Sequence, residues 1–317
     1  MTFVALSLIF VGAFAVFLAA TGHFLPQDVA YLGMTADELC RLHGCRVVHF
    51  MAHDRVSFGG ALIAVGTMYL WLVAFPLKRG EPWSWWVFLL SGISGFGSFL
   101  AYLGYGYLDT WHGVATLVLL PIFIAGLVMS RKRLTRPKGL ASILKPAMRL
   151  SLSTFQGLAR ILFVFVALGM VAGGLTIMVV GMTRVFVPQD LQFMQISADQ
   201  VRAINPRLVP LIAHDRAGFG GGICSCGLTV LLSVWCGRPS KSLWQALCVA
   251  GLAGFASAIG VHPAVGYTNL THLAPAIVGA ATFVLALVLS WKGMHRHHLQ
   301  PEVDTSSQRV ETVSETL

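Results

Sequence analysis

His53-Asp54-Arg55-Val56-Ser57-Phe58-Gly59-Gly60 returns 161 residues later as His214-Asp215-Arg216-Ala217-Gly218-Phe219-Gly220-Gly221, with six of the eight positions identical. Each copy sets a His-Asp-Arg cluster at the mouth of a long apolar run. Ionisable groups at the edge of a membrane span are expensive to place and mark a functional site by default. The motif is therefore read first as a site. Its duplication then sets the architecture.

The surrounding chain is apolar enough for a membrane. Of 317 residues, 56% are hydrophobic and 11% are charged, and the mean hydropathy is +0.74. Soluble domains carry about a quarter charged residues. Apolar runs near 20 residues predict membrane-spanning helices. Eight are expected, at Phe3–Ala20, Ala52–Phe75, Trp85–Leu103, Trp111–Ser130, Ile161–Met182, Ala213–Trp235, Leu243–Val261 and His272–Trp291. The first ends in Ala19-Ala20 like a signal peptide but has no basic segment before it, and its counterpart is internal; it is expected to be a retained span. The net charge of +9 follows from the positive-inside rule and calls for no nucleic-acid partner. With a cytoplasmic N-terminus, the inner segments collect fifteen basic residues, among them Lys78, Arg79, Arg131, Lys132 and Arg133. The outer segments keep Arg41, Arg46, Arg55, Arg184, Arg202, Arg207 and Arg216. The expected location is the cell membrane, multi-pass, with both termini cytoplasmic and membrane lipid as a partner.

The repeat extends well beyond the motif. Phe24-Leu25-Pro26-Gln27-Asp28 matches Phe186-Val187-Pro188-Gln189-Asp190, Arg46 matches Arg207, Gly95-Phe96 matches Gly254-Phe255, and Gly106-Tyr107 matches Gly266-Tyr267. The expected fold is an all-α integral membrane protein with eight transmembrane helices as two tandem four-helix bundles. The units span 1–130 and 161–294, a basic cytoplasmic linker spans 131–160, and a polar, disordered tail spans 295–317. An even number of spans per unit makes the repeats parallel. In each outer loop, Thr35 with Glu38 and Ser197 with Gln200 predict a capped short helix.

Four histidines survive the duplication: His53 and His112 in the first unit, His214 and His272 in the second, spaced by 59 and 58 residues. All four fall at the outer ends of even-numbered spans. Two imidazoles facing each other across a helical bundle are the axial ligands a b-type haem needs. On that reading Arg55, Arg216, Arg46 and Arg207 would meet the haem carboxylates, since arginine forks onto carboxylate. Gly60 and Gly221, seven residues after the histidines on the same helix face, would let a flat macrocycle approach. Asp54 and Asp215 would orient an imidazole or hold an arginine. Glycines in spans also serve helix packing, and an Asp-Arg pair at a helix start also serves as an ion pair. Asp28 and Asp190, in the duplicated Pro-Gln-Asp turn, are either site carboxylates or turn caps.

Cys40 and Cys45 lie in the first outer loop only and are a disulfide, a redox pair or two free thiols. Cys224, Cys226, Cys236 and Cys248 fall inside spans and are expected to pack.

In layout the chain resembles the haem A synthase family: eight spans in two tandem halves, paired histidines at the outer ends of the even spans, and a cysteine pair in the first outer loop, here Cys40 and Cys45. His53-Asp54-Arg55 and His214-Asp215-Arg216 approximate that family's His-Arg start. The resemblance implies haem ligation by His53, His112, His214 and His272. The family's glutamate three residues before the first histidine is Phe50 and Leu211 here, which separates haem binding from haem modification. The leading expectation is a haem-binding membrane redox protein, of the oxidoreductase class, working with a quinol, another lipophilic substrate or a redox partner protein. Two alternatives stand beside it. One is a proton- or ion-coupled transporter using His53/Asp54 and His214/Asp215. The other is a non-haem metal-dependent membrane enzyme using His53, Asp54, His112 and Asp28.

Overall fold

A computed structural model describes residues 1–100, 106–107, 109–135, 139–148 and 150–296. The described residues are helical or in turns and loops, with no strand among them. The first half holds α1 (Thr2–Ala20), α2 (Pro26–Leu32), α3 (Ala36–His43), α4 (Arg46–Leu72, continued by a π-helical turn over Val73–Leu77), α5 (Pro82–Leu100) and α6 (Thr110–Arg131). The linker carries one short turn of helix, α7 (Ala141–Leu144). The second half holds α8 (Phe155–Thr183), α9 (Pro188–Met194), α10 (Ala198–Ile204), α11 (Leu208–Cys236), α12 (Lys241–Val265) and α13 (Leu270–Arg296). The tail read as disordered lies outside the described residues beyond position 296.

Among the described residues, seven helices are long and apolar enough to cross a membrane: α1, α4 with its continuation, α6, α8, α11, α12 and α13. The 19-residue α5 is the remaining long helix. The outer-loop elements follow the sequence reading closely. Pro26 and Pro188 open α2 and α9, where a missing N–H costs nothing. Thr35 and Ser197 accept from the backbone N–H of Glu38 and Gln200, whose side chains return the bond, so both capping boxes are formed.

The packing departs from two self-contained bundles. Helix α4 lies against α1 of its own half and α12 of the other, while α11 lies against α8 of its own half and α5 of the other. The two also touch each other. They are the buried centre: 61% and 72% of their most apolar windows are inside the protein, against 11–22% for the other five long apolar helices. The reason lies in the paired glycines. Successive helical residues point about 100° apart, so two adjacent glycines open two faces. A Cβ on Gly59 would stand 2.7 Å from the Gly12 carbonyl oxygen of α1, and one on Gly60 would collide with Ser257 of α12. In the second copy, a Cβ on Gly220 would stand 2.7 Å from the Gly174 oxygen of α8, and one on Gly221 would collide with Ser98 of α5. Each pair thus seats a same-half helix and an opposite-half helix at backbone distance.

The interior divides in two. One apolar cluster centres on Met68, Leu72, Phe88, Phe163 and Leu247. A second, built from Leu39, Phe50, Met51, Met194, Leu208 and Leu211, joins the short loop helices to the starts of α4 and α11. The outer surface of α1 is apolar, with Phe3, Leu6, Phe10, Phe14 and Phe17 exposed, as suits a lipid-facing side.

Candidate functional site

Because α4 and α11 begin at Arg46 and Leu208, His53 and His214 sit about two turns inside these helices and are buried. Asp54 and Asp215 each turn back on the preceding imidazole: Nδ1 of His53 lies 3.0 Å from Oδ1 of Asp54, and Nδ1 of His214 lies 3.0 Å from Oδ1 of Asp215. A carboxylate only accepts, so Nδ1 is the protonated nitrogen in both rings and Nε2 carries a lone pair. This is the carboxylate–histidine arrangement that presents imidazole to a metal.

The partners of those lone pairs come from the opposite half. Nε2 of His53 on α4 lies 3.2 Å from Nε2 of His262 on α12, with His272 of α13 alongside; the ring centroids of His53 and His272 are 5.6 Å apart. The three histidines place one nitrogen each within 4.8 Å of one another. At the related centre, Nε2 of His214 on α11 lies 3.0 Å from Nδ1 of His112 on α6, and Asp109 completes a group of the same tightness. The expected pairs within halves, His53 with His112 and His214 with His272, are therefore replaced by pairs across halves. The cause is the packing of α4 on α12 and of α11 on α5.

The arginines lock this exchange. Arg55 is paired with Asp28 at 2.8 Å and Asp215 at 2.8 Å. Arg216 is paired with Asp190 at 2.6 Å and Asp54 at 3.2 Å. Each guanidinium thus bridges the outer-loop carboxylate of its own half and the motif carboxylate of the other. Tyr107 donates to Asp28 at 2.7 Å and Tyr267 to Asp190 at 2.9 Å. Burial, followed by the neighbouring Asp28 and Asp190 carboxylates, pushes both phenols well above the ordinary value of 10. The result is two parallel relays: Tyr107–Asp28–Arg55–Asp215–His214–His112, and Tyr267–Asp190–Arg216–Asp54–His53–His262.

The other residues singled out in the sequence find partners within the chain. Arg55 and Arg216 are paired with carboxylates of the chain rather than left open for those of a cofactor. Arg46 donates to the Phe193 carbonyl at 3.0 Å, and Arg207 donates to the Tyr31 carbonyl at 2.6 Å, so both tie one outer loop to the other. Gly60 and Gly221 face Ser257 and Ser98, not a ligand space. Asp28 and Asp190 are fully buried ion-pair partners as well as turn residues. Cys40 and Cys45 form a disulfide, and Cys224, Cys226 and Cys236 are free and buried.

Four site residues escaped the sequence reading. Tyr107 and Tyr267 carried a signal, since both lie in the repeat. Asp109 and His262 carried none: the position matching Asp109 is Asn269, which caps α13 through the backbone N–H of His272 as Asp109 caps α6 through that of His112. His262 has no histidine counterpart in the first half.

Beside the His112 centre runs an open apolar groove between α1, α4, α5, α6 and α11. Leu62, Phe58, Phe96 and Phe99 line it, with Tyr69 in its wall and His112 at one end. The His53 centre is filled instead by chain: Tyr267 stacks on His272 at 4.6 Å, and Phe50 and Phe219 flank His53.

No family model, curated protein or solved structure matches the chain.

Proposed function

We propose that this chain is an eight-span membrane redox protein, with α5 as the eighth span and the histidine centres toward the outer face. One observation carries the reading. At two related places an aspartate fixes the tautomer of a buried histidine so that its Nε2 meets an imidazole from another helix. Imidazoles held in this way suit iron, copper and zinc.

Of the two centres, the one at His112 and His214 supports haem. Its donors are two imidazoles with the Asp109 carboxylate beside them, and the adjoining groove is apolar. His112 and His214, whose ring nitrogens now stand 3.0 Å apart, would hold the iron between them once that contact opened. Haem bound there would supply one-electron chemistry, and a lipophilic reductant such as a quinol would reach it through the same apolar groove. Asp215 holds His214 in the ligating tautomer, and Arg55 holds Asp215. At the His53 centre His262, Tyr267 and Phe50 pack around the imidazole.

Carrier function has weaker support. The ionisable groups of both relays cluster at one end of α4 and α11, while the polar side chains buried deeper in α11 are Ser225, Thr229 and Ser233.

The test is an oxidised and dithionite-reduced spectrum of detergent-purified protein, with a pyridine haemochrome count. One haem per chain is expected, with sharp reduced α and β bands, and it should disappear in His112→Ala and in His214→Ala. A featureless spectrum from cells supplied with ample haem would overturn the haem reading.

A further inference from the structure

We propose that His53, His262 and His272 form a separate site for a single divalent transition-metal ion of the zinc–copper class. The site is independent of the haem centre and shares no ligand with it.

The first ground is a conflict of lone pairs. Nδ1 of His53 faces the Asp54 carboxylate at 3.0 Å, and Nδ1 of His262 faces the Ala258 carbonyl at 2.7 Å. Both oxygens only accept, so both Nδ1 atoms carry the proton and both Nε2 atoms are bare. Yet the two Nε2 atoms stand 3.2 Å apart. Two lone pairs meet at that distance only with a cation to share. At the other centre the conflict does not arise, because Nδ1 of His112 is able to donate to Nε2 of His214.

The second ground is spacing. Two imidazole nitrogens on one tetrahedral or trigonal ion, each about 2.0–2.1 Å from it, stand about 3.3–3.6 Å apart. The observed 3.2 Å is close to that value. The third donor, His272, places a ring nitrogen within 4.8 Å of both.

The third ground is charge. Asp54 and Asp190 surround the single guanidinium of Arg216, and all three are buried. That leaves one buried negative charge beside three neutral imidazoles, a cost that a bound cation removes. Three histidines are a common donor set for such an ion. Asp54 is then a positioning residue, acting through His53.

The experiment titrates Co(II), then competes with Zn(II), on chelator-stripped, untagged full-length protein. Visible d–d absorption reports the coordination, and haemochrome counts are taken on the same samples. Expected are one tightly bound Co(II) per chain with tetrahedral-type bands, at least a hundred-fold weaker binding in His262→Ala, and wild-type binding in His49→Ala, an exposed histidine outside the site. The haem count should not change in His262→Ala, so the two centres succeed or fail separately. If His262→Ala does not fold, His262→Gln takes its place, since it keeps a polar group of similar reach. Absence of saturable Co(II) binding to the wild type would overturn the proposal, leaving a shared proton as the occupant. Undiminished binding in the His262 variants, or haem loss in step with them, would overturn it as well.

Discussion

At the scale of single residues, the site is governed by which atoms have already given away their proton. Asp54 and Asp215 look interchangeable with any acid at a helix edge, yet each decides which imidazole nitrogen remains a ligand. Asp54→Asn keeps the size of the side chain but lets it donate as well as accept, so the tautomer of His53 is no longer fixed. Metal affinity at the His53 centre should fall 10- to 100-fold in that variant, as for other ligand-orienting carboxylates, while haem at the His112 centre is kept. Cobalt titration beside a haemochrome count checks this; equal affinity would show that Asp54 serves only Arg216. The tyrosines give a pH signature. Tyr107 and Tyr267 hold their protons above the ordinary value of 10 because burial and then a carboxylate disfavour the phenolate. A raised folded pKa means that folding retains a proton the unfolded chain gives up. Their contribution is therefore complete below about pH 10 and is lost as pH rises from there. An absorbance titration of phenolate should find these two ionising later than an exposed tyrosine, and Tyr267→Phe should remove one late-ionising phenol. A Tyr267→Phe titration that loses an early-ionising phenol instead would count against the buried relay.

At the scale of elements, small residues determine which helices become neighbours. The identity of the long helices was legible in the sequence because apolar length is a one-dimensional property. Their partners were not, because Gly59-Gly60 and Gly220-Gly221 reveal only that a backbone comes close and not whose backbone it is. The macrocycle reading of Gly60 and Gly221 fails for this reason: a serine from the opposite half occupies the space. The outer-loop helices were legible down to their caps, since Thr35 with Glu38 and Ser197 with Gln200 satisfy their own N–H groups locally. Gly60→Val would drive two methyl groups into Ser257 and the Ala253 carbonyl, pushing α12 and its His262 away from α4. Overpacking of this kind costs about 1–3 kcal/mol, and more against backbone. A lowered Tm with loss of cobalt binding is expected, and retention of both would refute the packing account. The Cys40–Cys45 bond clips α3 to the start of α4 across a separation of five residues. So short a loop limits its chain-entropy effect to about 2 kcal/mol. The Cys40→Ser/Cys45→Ser pair should lower Tm slightly, with both histidine centres intact.

Over the whole molecule, duplication and exchange combine. The repeat was readable from residue identity, and it located His53, His112, His214, His272 and both Asp-Arg pairs. What it concealed is that each histidine finds its partner in the other copy. Repeats of one sequence present equivalent surfaces, so contact within a half and contact across halves satisfy the same pattern. Only packing decides between them. The one histidine that breaks the repeat, His262, also breaks the equivalence of the two centres: it gives the His53 centre a third imidazole where the His112 centre has Asp109. Cross-half pairing makes a demand that self-contained bundles would not. If the chain is cut in the linker between Gly139 and Leu140, both exposed, α7 stays on the second fragment, in contact with α11 of that half and α5 of the other. The first fragment then carries His53 and His112, and the second carries His214, His262 and His272. Neither holds a complete centre, and each leaves an arginine without one of its two carboxylates. Expressed alone, each fragment should bind neither haem nor Co(II) stoichiometrically. Expressed together they should associate, because breaking the Arg55–Asp215 and Arg216–Asp54 pairs strands buried charge at a cost of about 3–5 kcal/mol per pair. Both cofactor signals should return with the complex. Arg216→Met in the second fragment leaves Asp54 of the first without its partner, and it should weaken that association far more than Arg202→Met at an exposed pair. A first fragment that binds haem by itself would instead show His53 and His112 pairing within one half, and the exchanged arrangement would be wrong.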